Sequence, residues 1–149
     1  MVAAYRAAIS APEISVTNGF DNEDGVSFVY VDSDFTENSS VSKEEDMVKI
    51  SFTVKDDSIV SSTAKIQLLE ESGEVNSLIV YDENEQVVPD NKVNTFKNKD
   101  GDLYEYYILY PRKKLDGKES VNLLITADNS KIKSSKKITL IRRNLFNLN

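Results

Sequence analysis

Val48-Lys-Ile-Ser-Phe-Thr-Val54 alternates apolar and polar residues without a fault. Successive side chains of a strand point to opposite faces. The spacing therefore puts Val48, Ile50, Phe52 and Val54 on one face and Lys49, Ser51 and Thr53 on the other. Ile14-Ser-Val-Thr17 repeats the pattern over a shorter span. Val26-Ser-Phe-Val-Tyr-Val31 and Ala64-Lys-Ile-Gln-Leu-Leu69 read as strands with a wetter second face, and Leu78-Ile-Val-Tyr81 as a short buried run. Tyr104-Glu-Tyr-Tyr-Ile-Leu-Tyr110, Val121-Asn-Leu-Leu-Ile-Thr-Ala127 and Ile138-Thr-Leu-Ile141 complete the set. All are rich in the β-branched and aromatic residues that suit a pleated, half-buried surface.

Turn chemistry separates these runs. Asp24-Gly25, Ser72-Gly73, Asp100-Gly101 and Asp116-Gly117 each join a side chain that bonds its own backbone to a residue free to take positive φ. Pro89-Asp-Asn91 and Asp128-Asn-Ser130 mark two further turns, and the acidic, Ser-rich stretch from Asp32 to Asp46 reads as a long surface loop. About eight antiparallel strands at this spacing, with no long segment of period 3.6 between them, predict an all-β sandwich.

The chain has 149 residues, 40% of them hydrophobic and 29% charged, which fits one globular domain with a real core. It contains no Cys and no His. That removes disulfides, thiolate chemistry, Ser-His-Asp and Cys-His arrangements, and sulfur-based zinc sites. No stretch approaches the roughly 20 apolar residues that cross a bilayer. Met1 to Pro12 lacks the basic leader and apolar run of a signal peptide.

Net charge is −7, which disfavours nucleic acid as a partner. Residues 1–90 hold 19 acids against 5 bases and residues 91–149 hold 6 against 13, a split of −14 and +7. Strands far apart in sequence lie side by side in a sandwich, so the two sets are expected to neutralise each other. Arg112-Lys-Lys114 and the bases from Lys131 to Arg143 are accordingly read as salt-paired surface.

Ile50-Ser-Phe-Thr-Val-Lys-Asp-Asp-Ser-Ile59 with Ala64-Lys-Ile-Gln-Leu68 resembles the early strands of bacterial and phage immunoglobulin-like domains. Val121-Asn-Leu-Leu-Ile-Thr-Ala-Asp-Asn-Ser130 with Lys136-Lys-Ile-Thr-Leu140 is similar to the closing hairpin of that group. Ile59 and Lys131 stand where those corners often carry Gly, and the Cys pair and core Trp of antibody domains are missing. The resemblance implies an immunoglobulin-like β-sandwich over 12–143, with an N-terminal arm at 1–11 and a C-terminal tail at 144–149. It also implies a spacer, adhesion or decoration role without chemistry of its own.

Acids at Asp21, Glu23, Asp24, Asp32, Asp34, Asp100 and Asp102 read as solvated loop residues, because nothing in their spacing places two of them across a sugar cleft. Neither Asp21-Asn-Glu-Asp-Gly25 nor Asn98-Lys-Asp-Gly-Asp102 has the acid order of an EF-hand loop. No catalytic residue, cofactor or metal is assigned. Of the tyrosines at 104, 106, 107 and 110, the first, second and last share a face with Ile108 and are read as core. Asn144 to Asn149 carries Leu145, Phe146 and Leu148 and no charged side chain, unlike an idle tail. Together with Arg142, Arg143, Tyr5 and Ile9 it forms the expected partner interface.

The functional expectation is a non-catalytic structural or binding module. It would be an accessory or decoration protein of a phage or virus particle, located in the virion. It would act through other protein subunits, with no nucleic acid or membrane partner and with homo-oligomers left open. The alternative is an adhesion or carbohydrate-binding module at a bacterial cell surface, and the remote one a carboxylate-based hydrolase.

Overall fold

The computed structural model describes residues 10–32, 47–57 and 62–143. The Asp32 to Asp46 loop past its first residue, and both arms up to Ile9 and from Asn144, lie outside the described residues. Among those described, eleven strands form two packed sheets. They are β1 (Glu13–Val16), β2 (Phe20–Asp21), β3 (Ser27–Asp32), β4 (Met47–Lys55), β5 (Thr63–Glu70), β6 (Gly73–Glu74), β7 (Val80–Asp82), β8 (Lys92–Asn94), β9 (Glu105–Pro111), β10 (Ser120–Asp128) and β11 (Lys133–Arg143). The eight strands expected from periodicity are all present. The three additional ones, β2, β6 and β8, span two or three residues each, too few for an alternation to be visible.

The smaller sheet runs β1-β4-β9-β7 and the larger runs β2-β3-β11-β10-β5-β6, with β8 on β5. With β3 set aside, the strands β1, β4, β5, β7, β9, β10 and β11 taken in chain order reproduce the immunoglobulin arrangement, in which the first, second, fifth and fourth strands face the third, sixth and seventh. One pairing departs from an all-antiparallel sheet. β3 runs parallel to β11, from Ser27 opposite Ile138 to Asp32 opposite Arg143. The chain leaves the smaller sheet after β1 and joins the larger as the hairpin β2–β3, so the two sheets share the opening strand region.

That crossing is held by sequence-specific bonds. Asn18 Nδ2 donates to the Lys49 carbonyl at 2.7 Å, Asn18 Oδ1 accepts from Ser51 N at 3.0 Å, and Thr17 N reaches Ser51 O at 2.8 Å. The Asn18 amide thus continues the pairing of β1 along β4 before the chain turns away. Gly19 follows because any Cβ there would sit 2.4 Å from the Phe28 carbonyl oxygen. Only glycine permits that backbone approach.

The core lies between the sheets. Val48, Ile50, Phe52 and Val54 of β4 are all buried, as their alternation requires, and Phe52 and Ile50 have no exposed area. They meet Ile66, Leu68, Ile125, Ile138 and Leu140 of the larger sheet in one cluster. The expectation for Leu78–Tyr81 as a buried run needs correction: only Val80 is buried, while Ile79 is 46% exposed. Among the named strands β7 pairs with β9, and on its other side it meets only the short return at Val87 and Val88.

Three turns share one construction. In 22–26, 82–86 and 98–102 the first side chain, Asn22, Asp82 or Asn98, accepts through Oδ1 from the backbone N–H groups two and four residues on. The fourth residue takes positive φ in each: Gly25, Glu85 and Gly101. The two turns considered for calcium therefore use their leading Asn oxygen on their own backbone.

Candidate functional site

One end of the sandwich is tied by buried polar groups. Asp56, which closes β4, and Asn129, which turns β10 into β11, lie 73 residues apart and meet through Asn129 Nδ2 and Asp56 Oδ2 at 2.8 Å. The same Nδ2 donates to the Ser10 carbonyl at 3.1 Å, and Ser10 Oγ donates to Asp56 Oδ1 at 2.9 Å. Asn129 Oδ1 accepts from Lys131 N and Ile132 N. The Asp-Asp-Ser corner and the Asp-Asn-Ser turn of the sequence resemblance are thus two halves of one node. Positive φ falls on Ser130, so Lys131 needs no glycine. The node is structural, because its polar atoms face one another.

The β9 tyrosines do a second structural task. Tyr106, Ile108 and Tyr110 are buried, as read from the sequence; Tyr104, read as core with them, precedes the strand and is only partly buried, and Tyr107 and Leu109 face outward and are half-buried. The Tyr106 hydroxyl accepts from Asn94 N at 2.9 Å, and the Tyr110 hydroxyl donates to Glu70 Oε2 at 3.0 Å. Both bonds cross from the smaller sheet to the larger, in a chain with no disulfide. Burial first, and then the Glu70 bond, pushes the Tyr110 phenol far above its ordinary value. Burial also raises that of Tyr106.

For both phenols the folded state holds the proton more tightly than the unfolded chain does. Their contribution is therefore complete below the unfolded tyrosine range near 10. It is lost as pH rises from there towards the folded values. Urea melts taken from neutrality to strong alkali should show stability falling by up to about 1.4 kcal/mol per pH unit per tyrosine. Tyr110→Phe should flatten that limb. An unchanged slope in the variant would disprove the assignment.

Among the described residues, two ion pairs link the basic part of the chain to the acidic part, so the expected neutralisation across strands is seen only in part. Lys136 Nζ meets Asp21 Oδ2 at 3.2 Å and Lys114 Nζ meets Glu70 Oε2 at 3.4 Å, each joining the basic part of the chain to the acidic part. Asp21 is held below the usual carboxylate range by the Ser27 hydroxyl bond, with Lys136 adding to it against partial desolvation. Arg142, expected to steer a partner, is engaged by its own domain. Its Nη2 donates to the Leu115 carbonyl at 2.8 Å and lies 3.8 Å from Asp116 Oδ1. Arg143 closes β11. Tyr5, Ile9, Leu145, Phe146 and Leu148 lie outside the described residues.

Two aromatic clusters lie on the outer sheet faces, one that sequence reading did not single out and one that includes Tyr107 of the strand it did. On the outer face of the larger sheet, Phe20 lies 5.6 Å from Phe28 and 5.4 Å from Tyr30, ring to ring. Phe20 is 49% and Tyr30 48% exposed, and the half-buried Ile141 stands opposite Tyr30. The signal was present: Phe28 and Tyr30 occupy the outward positions between Ser27, Val29 and Val31. What was hidden is that the 22–26 turn brings Phe20 directly opposite Phe28. On the smaller sheet Tyr81 stacks on Tyr107 at 5.1 Å, and Lys49 Nζ lies 4.4 Å over the Tyr107 ring. Glu83, Glu85 and Glu105 line a shallow cleft of about 290 Å³ beside them.

No protein-family model matches the chain, and no curated protein sequence matches it. Solved structures do. The titin domains Z1Z2 in complex with telethonin match at 13% identity and a TM-score of 0.41, over 88% of this chain and 47% of that one. Titin M4 matches at 14% and 0.39, and titin M7 at 11% and 0.39, each over 95% of its own length and 89% and 90% of this chain. The chain spans less than half the length of the Z1Z2 titin chains. The immunoglobulin-like assignment rests on the sheet order described above.

Proposed function

We propose that this domain is a non-catalytic protein-interaction module, and within that class an accessory or decoration subunit of a phage or virus particle. The observation that carries the interaction reading is the Phe20–Phe28–Tyr30 patch. The Phe20 ring touches those of Phe28 and Tyr30, and Phe20 and Tyr30, each about half exposed, forgo apolar burial that a partner would supply. Rigid aromatic side chains are the residues that most often anchor protein interfaces. The arms add Tyr5 and Ile9 on one side and Leu145, Phe146 and Leu148 beyond Arg142 and Arg143 on the other. The particle assignment draws on a sandwich without His or thiol chemistry.

Replacing Phe20 and Tyr30 by Ser together should leave the melting temperature within a few degrees, since both are surface residues. It should abolish co-sedimentation of the protein with gradient-purified particles of its source phage. Particles that retain the variant at wild-type copy number, or that never contain the protein, would overturn the corresponding half of the proposal. The Tyr81–Tyr107 platform favours a second reading, as a sugar-binding module of a cell surface, because stacked tyrosines beside carboxylates suit a pyranose face. Binding to immobilised glycans that Tyr107→Ala abolishes would put that reading ahead.

A further inference from the structure

An apolar groove of about 440 Å³ opens between the two sheets where β7 faces β5 and β6, lined by Met47, Leu68, Leu78, Ile79, Leu109 and Pro111. Glu70, Glu74 and Lys114 stand on its wall, with Lys114 paired to Glu70. Its position in the fold follows from register. β5 finishes at Glu70, β9 finishes at Pro111, β4 begins at Met47, and β11 ends at Arg143 beyond the start of β10 at Ser120. The groove and the point where residues 144–149 leave β11 are therefore at the same end of the sandwich.

We infer that this groove receives residues 144–149 of a second copy of the chain. The segment has the chemistry the groove lacks: Leu145, Phe146 and Leu148 with no charge, preceded by Arg143, against partly apolar walls on which Glu70 is paired with Lys114 and Glu74 is the second carboxylate. Each large side chain fully covered there loses its apolar hydration, and the arginine approaches an acidic wall.

A second copy is favoured over the segment's own groove by what stands between the two. The link from β9 to β10 crosses this end of the sandwich and is pinned on both flanks. Leu115 O accepts from Arg142 on the side of β11, and Lys114 bonds Glu70 on the side of the groove. Arg142 N also reaches Glu119 O at 2.8 Å, so β11 stays paired up to the point where the segment departs. The link and its two bonds thus stand between the end of β11 and the groove of the same chain. Because donor and acceptor share one end, mutual exchange closes as a two-fold dimer and does not propagate into a fibre.

This inference rests on the protein-interaction reading and is read out separately from it, with the purified full chain alone. Sedimentation velocity should show a dimer for the wild type and monomers for Phe146→Ser and for Ile79→Lys. An equimolar mixture of the two variants should regain a dimer, since one intact tail then meets one intact groove. A monomeric wild type whose melting temperature drops in Phe146→Ser would mean that the tail fills its own groove, and would overturn the claim. A dimer that survives both substitutions would overturn it as well. Neither result touches the test at Phe20 and Tyr30, which lie on the outer face of the larger sheet.

Discussion

Phe52→Ala is expected to cost about 3–5 kcal/mol, the cost of a large cavity in a packed core. Phe52 has no exposed area, lies opposite Tyr106 in the pairing of β4 with β9, and has its ring 6.2 Å from that of Tyr106. Val54, Ile50 and the facing strands of the larger sheet close the space around it, so little of the void can be refilled. Lys49, three residues earlier on the outer face, supplies the control. Its ammonium sits over the Tyr107 ring in contact with solvent, an arrangement worth about 0.5–1 kcal/mol. Lys49→Ala should stay within that amount. Chemical denaturation at neutral pH measures both, and comparable losses from the two would contradict the two-faced strand on which the sandwich is built.

Asn129→Ala is the second large effect, expected at about 3 kcal/mol or more by the same measurement. One carboxamide serves four partners: Asp56 Oδ2, the Ser10 carbonyl, Lys131 N and Ile132 N. A hydrogen bond to a charged group contributes about 1.5–3 kcal/mol, and a neutral one about half that or more. Asp56 and Asn129 are 8% and 2% exposed, so water cannot replace the amide without opening the end of the sandwich. Asn129→Asp tests the account at constant shape. It keeps the acceptor for the two backbone groups but sets a second carboxylate against Asp56, and it should be destabilising at neutral pH and partly rescued in acid. A loss below about 1 kcal/mol in Asn129→Ala would show that the node is ornamental.

The two substitutions probe different kinds of legibility. Phe52 was readable from its own neighbours, because a period of two in a strand records which face is dry. The same logic located β3, β5, β9, β10 and β11, and for β9 the inward side as well. It failed at Leu78–Tyr81, where a continuous apolar run resembles a buried strand although the edge position of β7 leaves Ile79 in water. Edge or centre is a property of the sheet, and no window of sequence contains it.

The sequence by itself determined the all-β class, the inward faces of β4 and β9, the turn positions, and the exclusion of histidine and cysteine chemistry. Those are local matters: alternation, the φ freedom of glycine, and the presence or absence of a functional group act within a few residues. Only the tertiary structure decided the parallel union of β3 with β11, the meeting of Asp56 with Asn129, and the hydroxyl bridges from Tyr106 and Tyr110. It likewise decided which aromatics are left bare, gathering Phe20, Phe28 and Tyr30 on one surface while burying Tyr106 and Tyr110. Each of these depends on strand order. Strand order is set by how the whole apolar surface is best covered at once, a global condition that local patterns leave open.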